Sequence, residues 1–458
     1  MDCGILGRMD TGTAQSGPVA GGTTGDPAEG MPSVTILTFG CRVNQYETDC
    51  MRATLSALGA RHDHAKVYIL NGCTVTRLAE RKARQAARRI HRDHPGALVI
   101  LVGCLADAVA QELTRFPEAD LMAGNAWKAR IDEVVCAALS GSRGMLPEPQ
   151  PMDPDQERSA GPRGRVRAPL KVQDGCSLAC TYCRPTQVRG PSRSKSVDAS
   201  VREAEGLIRK GYPELVLTGI NLAQYAPHDG SLADLVSDLL RLPGLLRLRL
   251  ASINPSGLSH ALLEAMASDR RACPHFHVPL QSGDDRILSA MQRGYTVAGY
   301  LATLDRVRKV LPEATFGADL IVGFPGEDDQ AFRATCGIVE AVGYANLHVF
   351  RYSPRSGTVA AALPNAVPEG IKRQRASALT QVWLPIRDRL LDTRIGSIQD
   401  VLIEERRDEQ WHGHTRDYLP VSFTSETELP LGSEQPVHIL AARDGRLEGV
   451  DTHRTNTA

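Results

Sequence analysis

Apolar and polar positions along the chain fall into three regimes. Short β-branched runs at 34–39, 66–70 and 97–102 alternate with amphipathic stretches, the pattern of parallel strands joined by helices. After a polar, Pro-rich stretch the alternation resumes with six apolar runs, at 168–173, 214–218, 246–251, 275–280, 315–323 and 346–352. Six βα units fall short of a closed eightfold barrel and predict an incomplete one. From 395 onward the pattern changes to strand-like runs at 399–404, 418–424 and 436–441 with turn residues between them, which suits a small β-barrel. The expected fold class is α/β. An N-terminal parallel α/β domain spans 32–142, a linker 143–166, a partial (βα)6 barrel 167–394 and a small C-terminal β-barrel 395–455. Residues 1–31 show little apolar periodicity and read as a disordered, dispensable tail in which Cys3 has no structural role; Met31 is then a candidate start.

A length of 458 residues agrees with this division, at roughly 150 residues per domain. With 53 basic and 53 acidic residues the chain carries no formal net charge, so any contact with nucleic-acid phosphates must come from a local basic patch. The most apolar stretch, 98–110, contains Cys104 and Asp107 and is shorter than the roughly 20 residues a membrane helix needs. A cytoplasmic protein without a membrane partner is expected.

The 11 cysteines change the picture most. Each of the first three runs leads into a Gly-Cys pair: Gly40-Cys41, Gly72-Cys73 and Gly103-Cys104. Parallel sheets gather ligands at the carboxyl ends of their strands, so Cys41, Cys73 and Cys104 converge on one crevice as metal ligands; buried cysteines acting as small hydrophobes are the alternative. Further on, Cys176, Cys180 and Cys183 form a CxxxCxxC motif in one loop. That spacing lets three thiolates hold an iron-sulfur cube and leaves its fourth iron open for chemistry. A structural zinc would need a fourth ligand, and the nearest downstream candidate is His228.

The CxxxCxxC motif is the signature of radical S-adenosylmethionine (SAM) enzymes, and from residue 33 to about 450 the chain resembles the methylthiotransferase family. Within that family Thr38-Phe-Gly-Cys-Arg-Val-Asn-Gln-Tyr-Glu-Thr48 is similar to the branch acting on N6-threonylcarbamoyladenosine in tRNA. Similarity continues at Asn71-Gly-Cys-Thr-Val-Thr76, Gln281-Ser-Gly-Asp284, Gly323-Phe-Pro-Gly-Glu327 and Tyr352-Ser-Pro-Arg-Ser-Gly-Thr358. The resemblance implies a radical SAM barrel, a C-terminal TRAM domain, an auxiliary 4Fe-4S cluster on Cys41, Cys73 and Cys104, and a radical 4Fe-4S cluster on the catalytic Cys176, Cys180 and Cys183. It implies SAM cleavage to a 5′-deoxyadenosyl radical, hydrogen abstraction from C2 of the adenine, sulfur from the auxiliary cluster and a methyl group from a second SAM. The expected partners are tRNA and an electron donor of the flavodoxin or ferredoxin class. Two departures stand out: Arg184-Pro-Thr186 replaces the usual Ile-Ile-Pro, and Asn254 replaces the usual Glu of Ser-x-Glu-Pro.

Thr218, Gly219, Asn221, Ser252, Gln281, Gly323 and Gly326 stand at predicted strand ends and are candidate SAM contacts, although each Gly-rich segment also reads as a plain strand-to-helix turn. His275 and His277 share a strand face, His412 and His414 suit a surface, and His62 and His64 lie in a polar loop; no metal is assigned to any of them. Arg77, Arg81, Arg84 and Arg88 form a basic helical stripe beside the single acid Glu80, read as a phosphate contact, with a second basic cluster at Arg163, Arg165, Arg167 and Lys171. Trp411, Tyr418 and Phe423 are candidates for base stacking or for packing. Asn44, Gln45, Glu47 and Arg355 are candidate polar partners for a threonylcarbamoyl group, against a reading of Asn44 as a helix cap and Arg355 as a surface charge. Competing functions are a sibling methylthiotransferase acting on isopentenyladenosine or on a ribosomal protein, and a non-catalytic iron-sulfur protein that binds RNA.

Overall fold

The computed structural model describes residues 32–60 and 65–452. The expectations for 1–31, His62 and His64 lie outside the described residues. The chain divides into two compact units: one runs to Asp153 and includes Glu157–Ala160, the other comprises Pro154–Gln156 and the chain from Gly161.

In the first unit β1 (Val34–Thr38), β2 (Val67–Asn71), β3 (Leu98–Val102), β4 (Leu121–Ala123) and β5 (Gly144–Met145) form one parallel sheet in that order. Helices α1 (Arg42–Ala57) and α4 (Ile131–Leu139) place Met51, Leu55, Val134 and Val135 against Ile36, Ile69 and Ile100 on one face. On the other, α2 (Arg77–Asp93) and α3 (Cys104–Ala110) place Ala83, Ala87, Ile90 and Leu105 against Tyr68, Leu70 and Leu101. Both faces are covered, so β2 and β3 read as continuous apolar runs without alternation. The two-residue strand β5 comes from the polar stretch after 142.

The second unit opens with the partial barrel. Strands β6 (Arg167–Lys171), β9 (Glu214–Thr218) and β10 (Arg247–Leu250) pair in parallel, as do β11 (His275–His277), β12 (Thr315–Val322) and β13 (Asn346–Arg351). Parallel bridges Leu248–Ala272 and Ser252–His277 join the two sets into one six-stranded wall, in agreement with the expected barrel. A short antiparallel ribbon, β7 (Gln173–Asp174) with β8 (Arg193–Ser194), brackets the cysteine loop. Outward-facing Phe276, Phe316, Ala318, Leu320 and Val322 pack against the surrounding helices in the main core.

The C-terminal segment is a closed barrel, β14 (Ile398–Arg407), β15 (Gln410–Thr415), β16 (Pro420–Thr424), β17 (Glu434–Arg443) and β18 (Arg446–Asp451), in the order β14-β15-β16-β18-β17. It meets the first residues of the barrel strands. Glu214 is fully buried with Arg249 Nε at 2.8 Å, while Arg247 Nε lies 2.7 Å from Glu434 and its Nη1 donates to the His414 carbonyl at 2.9 Å. Arg167 pairs with Glu404 at 2.6 Å. Burial opposes ionisation of Glu214, yet Arg249 and Arg167 hold its carboxyl down at about 2. His414, expected at the surface, is half-buried here, pairing with Glu404 at 2.8 Å and stacking on Tyr418 at 4.8 Å between centroids.

Candidate functional site

Register sets the first cluster of side chains. Thr38, Asn71 and Val102 lie in one transverse row of the sheet, so Cys41, Cys73 and Cys104 leave the sheet at matching heights. Cys41 is the N-cap residue of α1 and Cys104 opens α3, which directs two helix N-termini towards the crevice. Gly40 has φ +108°, and a Cβ there would overlap the Cys73 side chain; only glycine permits this approach. Cys41 is exposed, whereas Cys73 and Cys104 are buried. Asn125 Nδ2 donates to Cys104 Sγ at 3.5 Å, and the Val75 N–H donates to Cys73 Sγ at 3.4 Å.

The second cluster sits at the opposite end of the partial barrel from the C-terminal segment. Gln173 Nε2 donates to the Gly175 carbonyl at 2.7 Å and its Oε1 accepts from the Asn221 N–H at 2.8 Å, which locks the base of the cysteine loop to the end of β9. A chain of polar side chains then runs from one cysteine to another. Asn221 Nδ2 reaches Cys176 Sγ at 3.6 Å, Asn254 Nδ2 donates to Asn221 Oδ1 at 3.1 Å, Arg293 Nη2 donates to Asn254 Oδ1 at 2.5 Å, and Arg293 Nη1 reaches Cys180 Sγ at 3.3 Å. Arg293 is 9% exposed, so its charge acts on Cys180 with little screening. Burial pushes the Cys183 thiol up to about 11.

Among the described residues neither cysteine trio brings its ligand atoms within 4.8 Å of one another. Residues 170–337 match the radical SAM superfamily, and residues 33–124 match a family described as uncharacterized protein family UPF0004. The chain is 36% identical, over 82% of its length and 87% of the relative's, to a threonylcarbamoyladenosine tRNA methylthiotransferase MtaB of Thermotoga maritima. The chain belongs to the radical SAM methylthiotransferases. A Rickettsia prowazekii MtaB is 33% identical over 91% of this chain and 96% of that one, and a tRNA-2-methylthio-N(6)-dimethylallyladenosine synthase of Pelotomaculum thermopropionicum is 30% identical over 92% and 98%. A solved radical SAM methyltransferase, TsrM of Kitasatospora setae, shares the fold at TM-score 0.53 and 14% identity, covering 81% of this chain and 78% of that one.

As a radical SAM methylthiotransferase the protein uses SAM and a 4Fe-4S cluster and carries a second cluster. The two cysteine trios fit these groups by donor type and by the N–H donors aimed at their sulfurs. Among the remaining site residues, Asn221 is joined to the loop directly. Gly219 follows Thr218 at the end of β9, packed so closely on Gln173 that a Cβ would overlap it. The Thr218 hydroxyl donates to the Val216 carbonyl at 3.1 Å on its own strand. Ser252 pairs with His277 in the strand ladder, and Gln281 takes φ +71° beside β12. Gly323 and Gly326 form the turn after β12, where the Gly323 and Phe324 N–H groups donate to Glu327. Phe324 meets Tyr182 of the cysteine loop edge-on at 6.5 Å.

Sequence reasoning missed Arg293, Gln173 and Tyr182 and saw Asn254 only as a departure. The other departure, Arg184-Pro-Thr186, begins a short helix, Pro185–Arg189, in which proline takes a favourable first position and Arg189 returns to Asp174 at 2.9 Å. Several charge expectations change. Arg84 and Arg88 of the stripe are paired with Glu118 from beyond the helix, at 3.1 and 2.7 Å, so the stripe is less free than its local sequence implies. Arg167 and Lys171 face inward to Glu404 and Asp174. Glu47 is buried against Lys128, and Asn44 Nδ2 donates to the Phe39 carbonyl at 2.8 Å; both serve the crevice's own framework and neither lines an open pocket. Arg355 is buried, not a surface charge. Trp411 and Phe423 belong to the C-terminal core, and Tyr418 lies beneath Arg249 at 4.7 Å, so all three rings pack. Among the described residues no helix is long and apolar enough to cross a membrane.

Proposed function

We propose that this methylthiotransferase acts on tRNA and inserts a methylthio group at C2 of N6-threonylcarbamoyladenosine beside the anticodon. The observation that carries the reading is the 36% identity, over 87% of its length, to a relative named for that substrate, together with both cysteine trios intact. Cys41, Cys73 and Cys104 hold the auxiliary cluster, and Cys176, Cys180 and Cys183 the radical cluster. When bound, these groups and SAM supply a carbon radical at C2, the sulfur and the methyl group. The chain's own residues orient and insulate. Asn221, Asn254 and Arg293 hold the cysteine loop in one geometry, and the Phe324 and Tyr182 rings give it an apolar flank. Thr218, Gly219, Asn221, Ser252, Gln281, Gly323 and Gly326 supply the SAM contacts from the strand ends. The closed C-terminal barrel is the TRAM domain and offers its outer loops to RNA. An electron donor of the flavodoxin or ferredoxin class and a cytoplasmic setting complete the reading. Digested tRNA from a deletion strain is expected to lose 2-methylthio-N6-threonylcarbamoyladenosine and to accumulate its unthiolated precursor. Loss of the isopentenyl counterpart instead would assign the enzyme to the sibling substrate.

A further inference from the structure

The lumen of the partial barrel carries a second set of metal-ligating side chains, away from the cysteines in sequence and drawn from three adjacent strands. His277 ends β11, Asp319 lies within β12 and His348 within β13. Register places Asp319 directly opposite His348 and places His277 opposite Gly317, two residues from Asp319 and so on the same face. His277 Nε2 is 3.1 Å and His348 Nδ1 3.0 Å from a single oxygen, Asp319 Oδ1, and the three ligand atoms lie within 4.8 Å of one another. The rings are 5.2 Å apart with an interplanar angle of 30°. At 317 a Cβ would press on His277 Nδ1 at 2.8 Å, so glycine makes room for the imidazole to turn into the lumen.

Charge and spacing both ask for a cation. Among the described residues no Lys or Arg pairs with Asp319, whose ion-pair partners are these two imidazoles. A half-buried carboxylate without a Lys or Arg partner is partly desolvated, and a bound cation offsets that cost. Ligands bonded to one ion at about 2.1 Å lie about 3.0 Å apart at octahedral angles and about 3.4 Å apart at tetrahedral ones, so nitrogen-to-oxygen spacings of 3.1 and 3.0 Å need little movement to close on an ion.

We propose that His277, Asp319 and His348 form a three-ligand site for a first-row divalent metal ion of the zinc or ferrous class. Two imidazoles and one carboxylate leave the ion's remaining positions open to the lumen, where water or an anionic substrate oxygen completes its shell. The test uses the anaerobically reconstituted holoenzyme, incubated with Zn²⁺, desalted, and assayed for zinc and iron. One zinc per chain is expected in the wild type, with zinc affinity at least tenfold weaker in His277→Ala and His348→Asn and with iron content unchanged in both. The zinc X-ray absorption edge of the wild type provides a second readout that does not depend on variants folding. A shell of nitrogen and oxygen at about 2.0–2.1 Å supports the site. Absence of retained zinc, sulfur scattering at about 2.3 Å, or zinc retained undiminished in a folded His348→Asn protein overturns it. Either of the first two results leaves a hydrogen-bonded His-Asp-His group in its place.

Discussion

At Arg293 a buried guanidinium reaches the sulfur of Cys180 and leans on Asn254, a neutral side chain that leaves the positive charge whole. N–H donors and positive charge beside a cluster sulfur stabilise the reduced state. Arg293→Gln is therefore expected to keep its iron but to shift the radical cluster to a more negative potential, by about 60 mV for each 1.4 kcal/mol lost in this one-electron couple. Potentiometry followed by EPR reads the shift, and an unchanged potential would refute the role. Asn254→Glu should act in the same direction by pairing with Arg293. Neither residue was legible as part of the site: Arg293 and Cys180 are 113 positions apart, and no local periodicity marks a side chain whose partner arrives through the tertiary fold. The CxxxCxxC loop, by contrast, stands out in the sequence because the spacing of three cysteines within one loop is a local property.

At the level of elements, the first sheet brings three cysteines far apart in sequence to one edge, because matching strand ends in a parallel sheet place equivalent positions side by side. Changing Cys41, Cys73 and Cys104 together to Ala should halve the iron of the reconstituted protein while SAM is still cleaved to 5′-deoxyadenosine; complete loss of iron or of cleavage would break the assignment. The six barrel strands were legible to within a few residues, since each carries apolar residues on the face that packs against the surrounding helices. The strands overlooked share the opposite property. β4 and β5 are three and two residues long, and β15 and β18 bury alternate positions that include Gly413, Thr415 and Asp451, which carry little apolar signal. Stripe and cluster arginines were misjudged for a related reason, since Glu118 and Glu404 come from segments that only the fold brings near.

For the molecule as a whole, the buried charges beneath the partial barrel tie the C-terminal barrel to it. Glu214 would titrate near 4.5 in the unfolded chain and titrates at about 2 in the folded one, so its contribution to stability is fully present above pH 4.5 and is lost as pH falls towards 2. Thermal denaturation between pH 6 and 3 should show a falling midpoint in the wild type and a flatter profile in Glu214→Gln. That variant should also lose about 3–5 kcal/mol at neutral pH, because Arg249 is left buried without its partner. A variant as stable as the wild type would contradict this account of the joint.

The same joint governs traffic. With Arg247 and Arg249 bonded to backbone carbonyls of the C-terminal barrel, and Thr315 to that of Asp417, the lumen is stoppered at the foot of its strands. The foot of the strands is thus closed, and the side of the cysteine loop remains as an entrance. A small reactant that enters by that side is seated before a macromolecule covers it, and its spent product waits behind that macromolecule. A catalytic cycle that consumes two molecules of the same small reactant would then have to lift its large substrate between them, or load one before that substrate docks.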